Sequence, residues 1–335
     1  MLLGAILLLG FAAAVLAPIV VRIARGWSGW ILALVPAAIA GLVVARSPGV
    51  TGGPGPREEL AWASDLGLCV ALRLDGLAAL FALLVAGVGA LVLIYAGAYL
   101  KGHAHLGRFF ALLLLFLSAM LGIVLADDLL TLYVFWELTT VSSWLLIGFE
   151  HEKKEARRAA WQALMVTASG GLAMLVAFVL SASATGSYSI SEMLSGPGGV
   201  KESGLYPVIL GLVVFGAATK SALVPLHFWL PNAMAAPTPV SAFLHSAAMV
   251  KAGIYVLLRL GPILGDTPEW SVTLTSLGAL TAIVAAWLAF IQKDLKRLLA
   301  YTTISALGTM TLAIGVGGAH GTRVALLLVF AHALC

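Results

Sequence analysis

The sequence predicts an all-α fold, a polytopic transmembrane helix bundle with a proline-broken helix, and three observations predict it. Hydrophobic residues make up 61% of the 335 residues and charged ones only 10%, whereas an ordinary soluble domain carries about 25% charged residues. Apolar runs of the length that crosses hydrocarbon, roughly 20 residues, recur along the whole chain between short loops. The stretch from Tyr206 to Leu260 stays apolar while it carries Lys220, His227, His245 and Lys251 and prolines at 225, 231, 237 and 239.

The runs are marked off by charges, glycines and prolines. They lie near 2–21, 28–45, 74–99, 108–126, 128–148, 159–183, 206–234, 239–260, 272–290, 296–317 and 323–335. The first has no basic segment before it and is long enough to span, so it reads as a helix and not as a signal peptide. Between the second and third lies the longest loop, 46–73, Gly/Pro-rich at first, with a strand or hairpin expected near Leu66–Leu74. Asp127 and Asp128 stand where carboxylates cap the free N–H groups of a fifth helix. Glu150 to Arg158 reads as a solvated loop of mixed sign, and His103, His105, His151 and His320 fall in loops. The seventh span is expected to break near Pro225, because proline removes a donor and clashes with the preceding turn. The eleventh stops half-way at Cys335, which predicts a fragment of a longer protein.

Charge distribution sets the expected orientation. Of the 19 Lys and Arg residues, eleven fall in loops after odd-numbered spans and six, Arg259 among them, after even-numbered ones. The odd loops are therefore expected in the cytoplasm, with the N-terminus outside a cell membrane that the chain crosses many times. The formal charge of +4 is modest, and no basic cluster interleaved with aromatics points to nucleic acid. Cys69 and Cys335 lack disulfide or metal-ligand spacing.

A lysine at the centre of a bilayer costs about 2.5–3.5 kcal/mol on insertion scales, so such residues face protein or water. Glu137 sits mid-span, with no other charge between Asp128 and Glu150 to explain it by snorkelling. It is either a protonated structural acid or the carboxylate partner of a buried lysine. Lys251 is equally central in its span; Lys220 is buried if Pro225 breaks the helix at membrane depth, and snorkels if the helix simply ends there. His245 precedes Lys251 by six residues, so on a regular helix the two occupy different faces. His227 follows the break. Lys293, Asp294, Lys296 and Arg297 lie near the expected cytoplasmic edge, where snorkelling is the ordinary reading. A carboxylate near an ammonium raises its proton affinity, and desolvation lowers it. A Glu–Lys pair whose separation changes is therefore a two-setting proton switch.

The stretches KSALVPLHFWLPNAMAAPTPVSAFLHSAAMVKAGIYVL, LYVFWELTTVSSWLLIGF and DLKRLLAYTTISALG resemble the antiporter-like membrane subunits of respiratory complex I (chain 5-like), membrane-bound hydrogenases and Mrp-type cation/proton antiporters. HEKKEARRAAWQALMVTASGGLAML looks most like the A-type subunit of Mrp antiporters. The resemblance runs from about residue 65 to the end. It implies inverted five-helix repeats, each with a broken helix, the second truncated here. It divides the chain into 1–64 (two helices and an outer loop), 65–115 (the antiporter-like N-terminal region) and 116–335 (the proton-translocating core, with its first repeat complete to about 260). By position it implies a proton path through Glu137, Lys220, His245 and Lys251, with His227, Lys296 and His332 as accessories.

The function expected is a subunit of a multi-subunit secondary Na⁺/H⁺ antiporter, not an enzyme, with other Mrp-type subunits, H⁺ and Na⁺ as partners. The alternative is a proton-pumping subunit of a complex I-like oxidoreductase or membrane-bound hydrogenase. No cysteine or glycine motif for an iron–sulfur cluster, flavin or nucleotide occurs, so no cofactor is expected. A third reading is a scaffold whose buried charges only hold helices together.

Overall fold

The computed structural model describes residues 2–47, 50, 55–63, 68–195 and 199–334. Cys335 and positions 66–67 of the expected hairpin region lie outside the described residues. In chain order come α1 (Leu2–Ala24), α2 (Ser28–Arg46), strands β1 (Arg57–Ala63) and β2 (Leu68–Arg73), α3 (Gly76–Tyr99), α4 (Leu106–Leu125) and α5 (Leu129–Ile147). Then follow α6 (Lys154–Thr185), α7 (Ile190–Ser195), α8 (Tyr206–Lys220), α9 (Trp229–Ala233), α10 (Thr238–Ala242), α11 (Met249–Leu264), α12 (Pro268–Phe290), α13 (Leu295–Val316) and α14 (Gly318–Leu334). Each expected apolar run is largely helical over its described residues, the runs at 206–234 and 239–260 with interruptions. Eight helical stretches among the described residues are long and apolar enough to cross a membrane, the first being α1 and α2 together; α8 and α14 are apolar but shorter.

The chain divides into two compact units, Met1–Phe149 with Ala236–Ala248, and Glu150–Ala235 with Met249–Cys335. In the first unit α1 packs on α2 and α4, α2 on α3, and α4 on α5. Lipid offers no hydrophobic drive between helices, so close van der Waals contact through small residues does the work. Gly29 illustrates it: a Cβ there would lie 2.7 Å from the Leu93 carbonyl and 3.1 Å from Gly97. The hairpin pairs β1 and β2 antiparallel and is fastened to the start of α5. Asp127 N–H donates to the Ala71 carbonyl at 2.9 Å, Arg57 Nε meets the buried Asp127 carboxylate at 2.7 Å, and Thr131 Oγ1 donates to the Cys69 carbonyl at 3.1 Å. Asp128 caps α5 by accepting from Thr131 N–H at 2.8 Å. Burial raises its pKa above the usual carboxylate range, and its hydrogen bonds offset only part of that rise.

In the second unit α6 packs on α8, α8 on α11, α12 on α13, and α13 on α14. Tyr206, at the start of α8, donates from its hydroxyl to the Leu264 carbonyl at 2.7 Å, tying that helix to the end of α11.

Three boundaries differ from expectation. The strand expected near Leu66–Leu74 is β2, but its partner β1 begins at Arg57, well before Leu66. Helix α6 begins at Lys154 and not near 159, so part of the expected loop Glu150–Arg158 is its first turn. Lys, Glu, Ala and Arg are good helix formers, and a charged first turn reaching water does not register as an apolar run. Helix α14 likewise begins at Gly318 and takes in His320, expected in a loop.

Candidate functional site

The apolar run that begins at Tyr206 breaks where expected. Helix α8 ends at Lys220, the Val224–Pro225 peptide is cis, and Ala222 takes a left-handed conformation with φ 50°. A 3-10 turn, Leu226–Phe228, then leads into α9. Backbone groups freed inside a membrane must find partners within the protein, and here they do. Leu223 N–H donates to the Ala218 carbonyl at 2.9 Å. Trp229 Nε1 donates to the Thr219 carbonyl at 3.0 Å. Val224 N–H donates to Thr281 Oγ1 of α12 at 3.1 Å. Lys220, the last residue of α8, has no exposed surface.

The residue after it joins the break to α11. Ser221 Oγ donates to the Val250 carbonyl at 2.7 Å. Gly253, one turn on, sits so close that a Cβ would lie 2.3 Å from Ser221 Oγ and 2.5 Å from the Ala217 carbonyl. Thus the break and the helix of Lys251 touch through a serine and a glycine, residue types that a search for charges passes over.

Lys251 is fully buried, and its Nζ donates to the Val329 carbonyl of α14 at 3.1 Å. His332, three residues along α14 from that carbonyl, is half-buried and within electrostatic reach of Lys251. Two further polar residues follow Lys251 at helical spacing: Tyr255, fully buried, and Arg259, 9% exposed. Arg259 Nε donates to the Tyr255 hydroxyl at 2.9 Å, with its guanidinium 5.3 Å from the ring centre. Its charge alone suggests an outer loop; it is buried, with the Tyr255 hydroxyl among its partners.

His245 and Lys251 are not on one regular helix. Phe243–Ala247 form a π turn, and Ala248 departs from helical geometry at φ −126°, ψ −90°. The ideal-helix angle between the two residues therefore does not apply. Single π turns often mark functional positions, and no sequence signal announces this one. His245, 5% exposed, and Ser241 are buried; His245 Nδ1 and Ser241 Oγ have no hydrogen-bond partner among the described residues.

Glu137 is half-buried on α5. The hydroxyls of Thr139, Thr140, Ser142 and Ser143 on that helix donate back to carbonyls three or four residues earlier, a local solution that leaves them few bonds to offer elsewhere. Glu137 and His245 belong to the first unit, and Lys220, His227, Lys251, Lys296 and His332 to the second. Within the second, the structure brings Lys251 and His332 together and sets the His227 ring 6.3 Å from that of Tyr301 on α13. Lys296 is half-buried near the start of α13, at the wall of a cavity. Among the described residues no cluster of His, Cys, Asp or Glu is grouped to hold a metal ion.

Fold and site together define a many-helix membrane protein in which interrupted helices carry buried ionisable side chains. Residues 126–335 match the NADH:quinone oxidoreductase/Mrp antiporter transmembrane family, and residues 61–110 match the N-terminal region of complex I chain 5. The chain belongs to the NADH:quinone oxidoreductase/Mrp antiporter family. It is 41% identical over 99% of its length to a Rhizobium meliloti protein named as a probable K(+)/H(+) antiporter A/B subunit, covering 33% of that protein. It is 45% identical over 78% of its length to the Na(+)/H(+) antiporter A1 subunit of Staphylococcus haemolyticus, covering 32% of it. A chain in the structure of the Mrp complex from a Dietzia species superposes with a TM-score of 0.92 at 40% identity, over 100% of this chain and 36% of that one. The chain thus spans about a third of the length of the curated relatives it matches.

Proposed function

We propose that this chain forms part of a subunit of a multi-subunit monovalent cation/proton antiporter, and that protons move through it by way of Glu137, Lys220, His245 and Lys251. The observation that carries the reading is the complete burial of Lys220 and Lys251 in helices that are mostly apolar. Insertion scales put the cost of each at about 2.5–3.5 kcal/mol, which a purely structural role would have no reason to retain twice. The similarity to named Na(+)/H(+) and K(+)/H(+) antiporter subunits supports the substrate class, and the likeness to an Mrp complex supports partners of that kind.

In this mechanism Glu137 and Lys220 are the switch. When the carboxylate is close, Lys220 keeps its proton; when it is withdrawn, desolvation favours release toward His245 and Lys251. Each pKa unit is worth about 1.36 kcal/mol, so a few kcal/mol drawn from the ion gradient move the proton. His227, Lys296 and His332 serve as accessories to the path. The spans α4 to α11 make up the first of two inverted repeats, and the N-terminus lies outside the cell membrane. The match of residues 61–110 to complex I chain 5 favours one second reading, a proton-pumping subunit whose redox chemistry sits in its partners.

The test is cation-dependent dissipation of a pH gradient in vesicles carrying the full-length protein in its complete complex. Lys220→Ala is expected to slow exchange at least a hundredfold with the complex still assembled. Full exchange by that variant would overturn the reading, and exchange dependent on an electron donor would select the second one.

A further inference from the structure

Two long helices of the second unit begin with basic residues, and a short third one joins them. Helix α9 packs on both α6 and α13, and Asn232 of α9 donates to Gln162 of α6 at 2.7 Å. Between the three lies a half-open cavity of about 490 Å³. That volume suits a small ligand, whose sites run to about 300–1,000 Å³. Its basic lining is Arg158 of α6 with Lys296 and Arg297 of α13.

Glu155 and Asp294 also line the cavity, but each belongs to a helix start. Asp294 accepts from Arg297 N–H at 2.8 Å as the cap of α13. Glu155 stands in the first turn of α6, where the dipole favours a carboxylate. Arg158 and Arg297 are exposed on long stems, and an arginine fork matches phosphate oxygens two at a time. The chemistry that fits is an anion with phosphate oxygens.

What carries that phosphate follows from the surface beside the cavity. One turn past Arg158 an apolar stripe starts on α6: Trp161 is 54% exposed, Met165 57%, Leu172 62% and Val176 49%. Their spacings of three, four and seven residues keep them on the helix face of Arg158. At 1.5 Å per residue the stripe from Arg158 to Val176 covers about 27 Å, close to the thickness of the hydrocarbon core, ~30 Å. Trp161 stands at its end, where aromatic rings settle at headgroup level. On α13, Leu295 and Leu299 flank the other basic wall, both exposed. A soluble anion would use the cavity and leave the stripe bare. The centre of a protein interface is depleted of charge, and this cavity is built around three cations. An amphiphile uses both surfaces at once.

We propose that this cavity seats the headgroup phosphate of an anionic phospholipid, whose acyl chains lie along the exposed stripe of α6. Basic pockets between membrane helices take such headgroups on the cytoplasmic side, and in the orientation proposed above this one opens to the cytoplasmic leaflet. The lipid ties the segment beyond the break to the long helices on either side of it. It can do so whether or not the chain carries protons.

The test uses the full-length complex reconstituted in phosphatidylcholine vesicles with a trace of phosphatidylglycerol that bears a diazirine in its upper acyl chain. After illumination, mass spectrometry is expected to find the label on α6 near Trp161 and Met165 and on α13 near Leu299. A diazirine phosphatidylcholine at the same level is expected to label these helices at least fivefold less, about the share that one cation at a membrane surface accounts for. Millimolar inorganic phosphate should not displace the label. Arg158→Gln combined with Arg297→Gln is expected to lower it by the same factor, relative to labelling elsewhere on the assembled complex. Arg158→Lys with Arg297→Lys should keep most of it, because the charge remains. Equal labelling by the two lipids would mean bulk lipid only, and displacement by inorganic phosphate a free-anion site. Unchanged labelling of the Gln pair would mean that the cations hold nothing, and no label on these helices would mean that another stretch of protein covers them. Each of these four results overturns the inference.

Discussion

Among the described residues, apolar helical runs are interrupted at 221–225 and at the π turn of Phe243–Ala247, and the two interruptions are built in opposite ways. At residues 221–225 of the second unit, the freed backbone is tied by Trp229 to the Thr219 carbonyl, by Thr281 to Val224 N–H, and by Ser221 to α11. At the π turn of the first unit, the buried Ser241 hydroxyl and His245 Nδ1 have no partner among the described residues. In the first, these freed backbone groups of residues 219–224 are matched. The second leaves a buried hydroxyl and an imidazole nitrogen without a partner among the described residues. A helix break is therefore not one kind of device: what surrounds it decides whether its polar groups find partners.

Variants of the purified full-length complex, followed by thermal unfolding, sharpen this contrast. The largest effect is expected at the contact between the break and α11. Gly253→Leu forces a branched side chain against Ser221 and the Ala217 carbonyl, and overpacking of that kind costs about 3 kcal/mol; an unchanged midpoint would mean that the two helices are not held together there. Trp229→Phe keeps an aromatic ring but removes the indole N–H and leaves the buried Thr219 carbonyl without its donor, a loss worth about 1–3 kcal/mol. The smallest effects form the most direct comparison. Ser221→Ala should cost about 1 kcal/mol, while Ser241→Ala should be nearly neutral, because removing a buried hydroxyl that has no partner removes a penalty with it. Equal losses from the two serines would erase the distinction between a matched and an unmatched break.

Much of the fold is legible in the residues because hydrocarbon imposes a length. Runs such as Gly76–Tyr99 and Leu106–Leu125 can be only helices, since a chain in lipid must satisfy its own backbone. Helix starts that reach water, as at Lys154 and Gly318, carry no such constraint, and the apolar pattern places them several residues too late. At the site, Lys220, Lys251 and His245 stand out because charge and imidazole are rare in oil. Arg259 is hidden by its nearness to a span end, and Ser221 and Gly253 by their ordinariness.

Sequence alone determined the class of the protein, its membrane spans, the break at Pro225 and the ionisable residues within them, because burial in lipid penalises each polar group one at a time and so marks it individually. Only the tertiary structure decided how the break is satisfied, that the chain makes a π turn at His245, that Lys251 bonds to the Val329 carbonyl, and that His227 lies against Tyr301. Those outcomes depend on which helix packs beside which, and hydrogen bonds between residues tens of positions apart leave no local trace in composition or spacing.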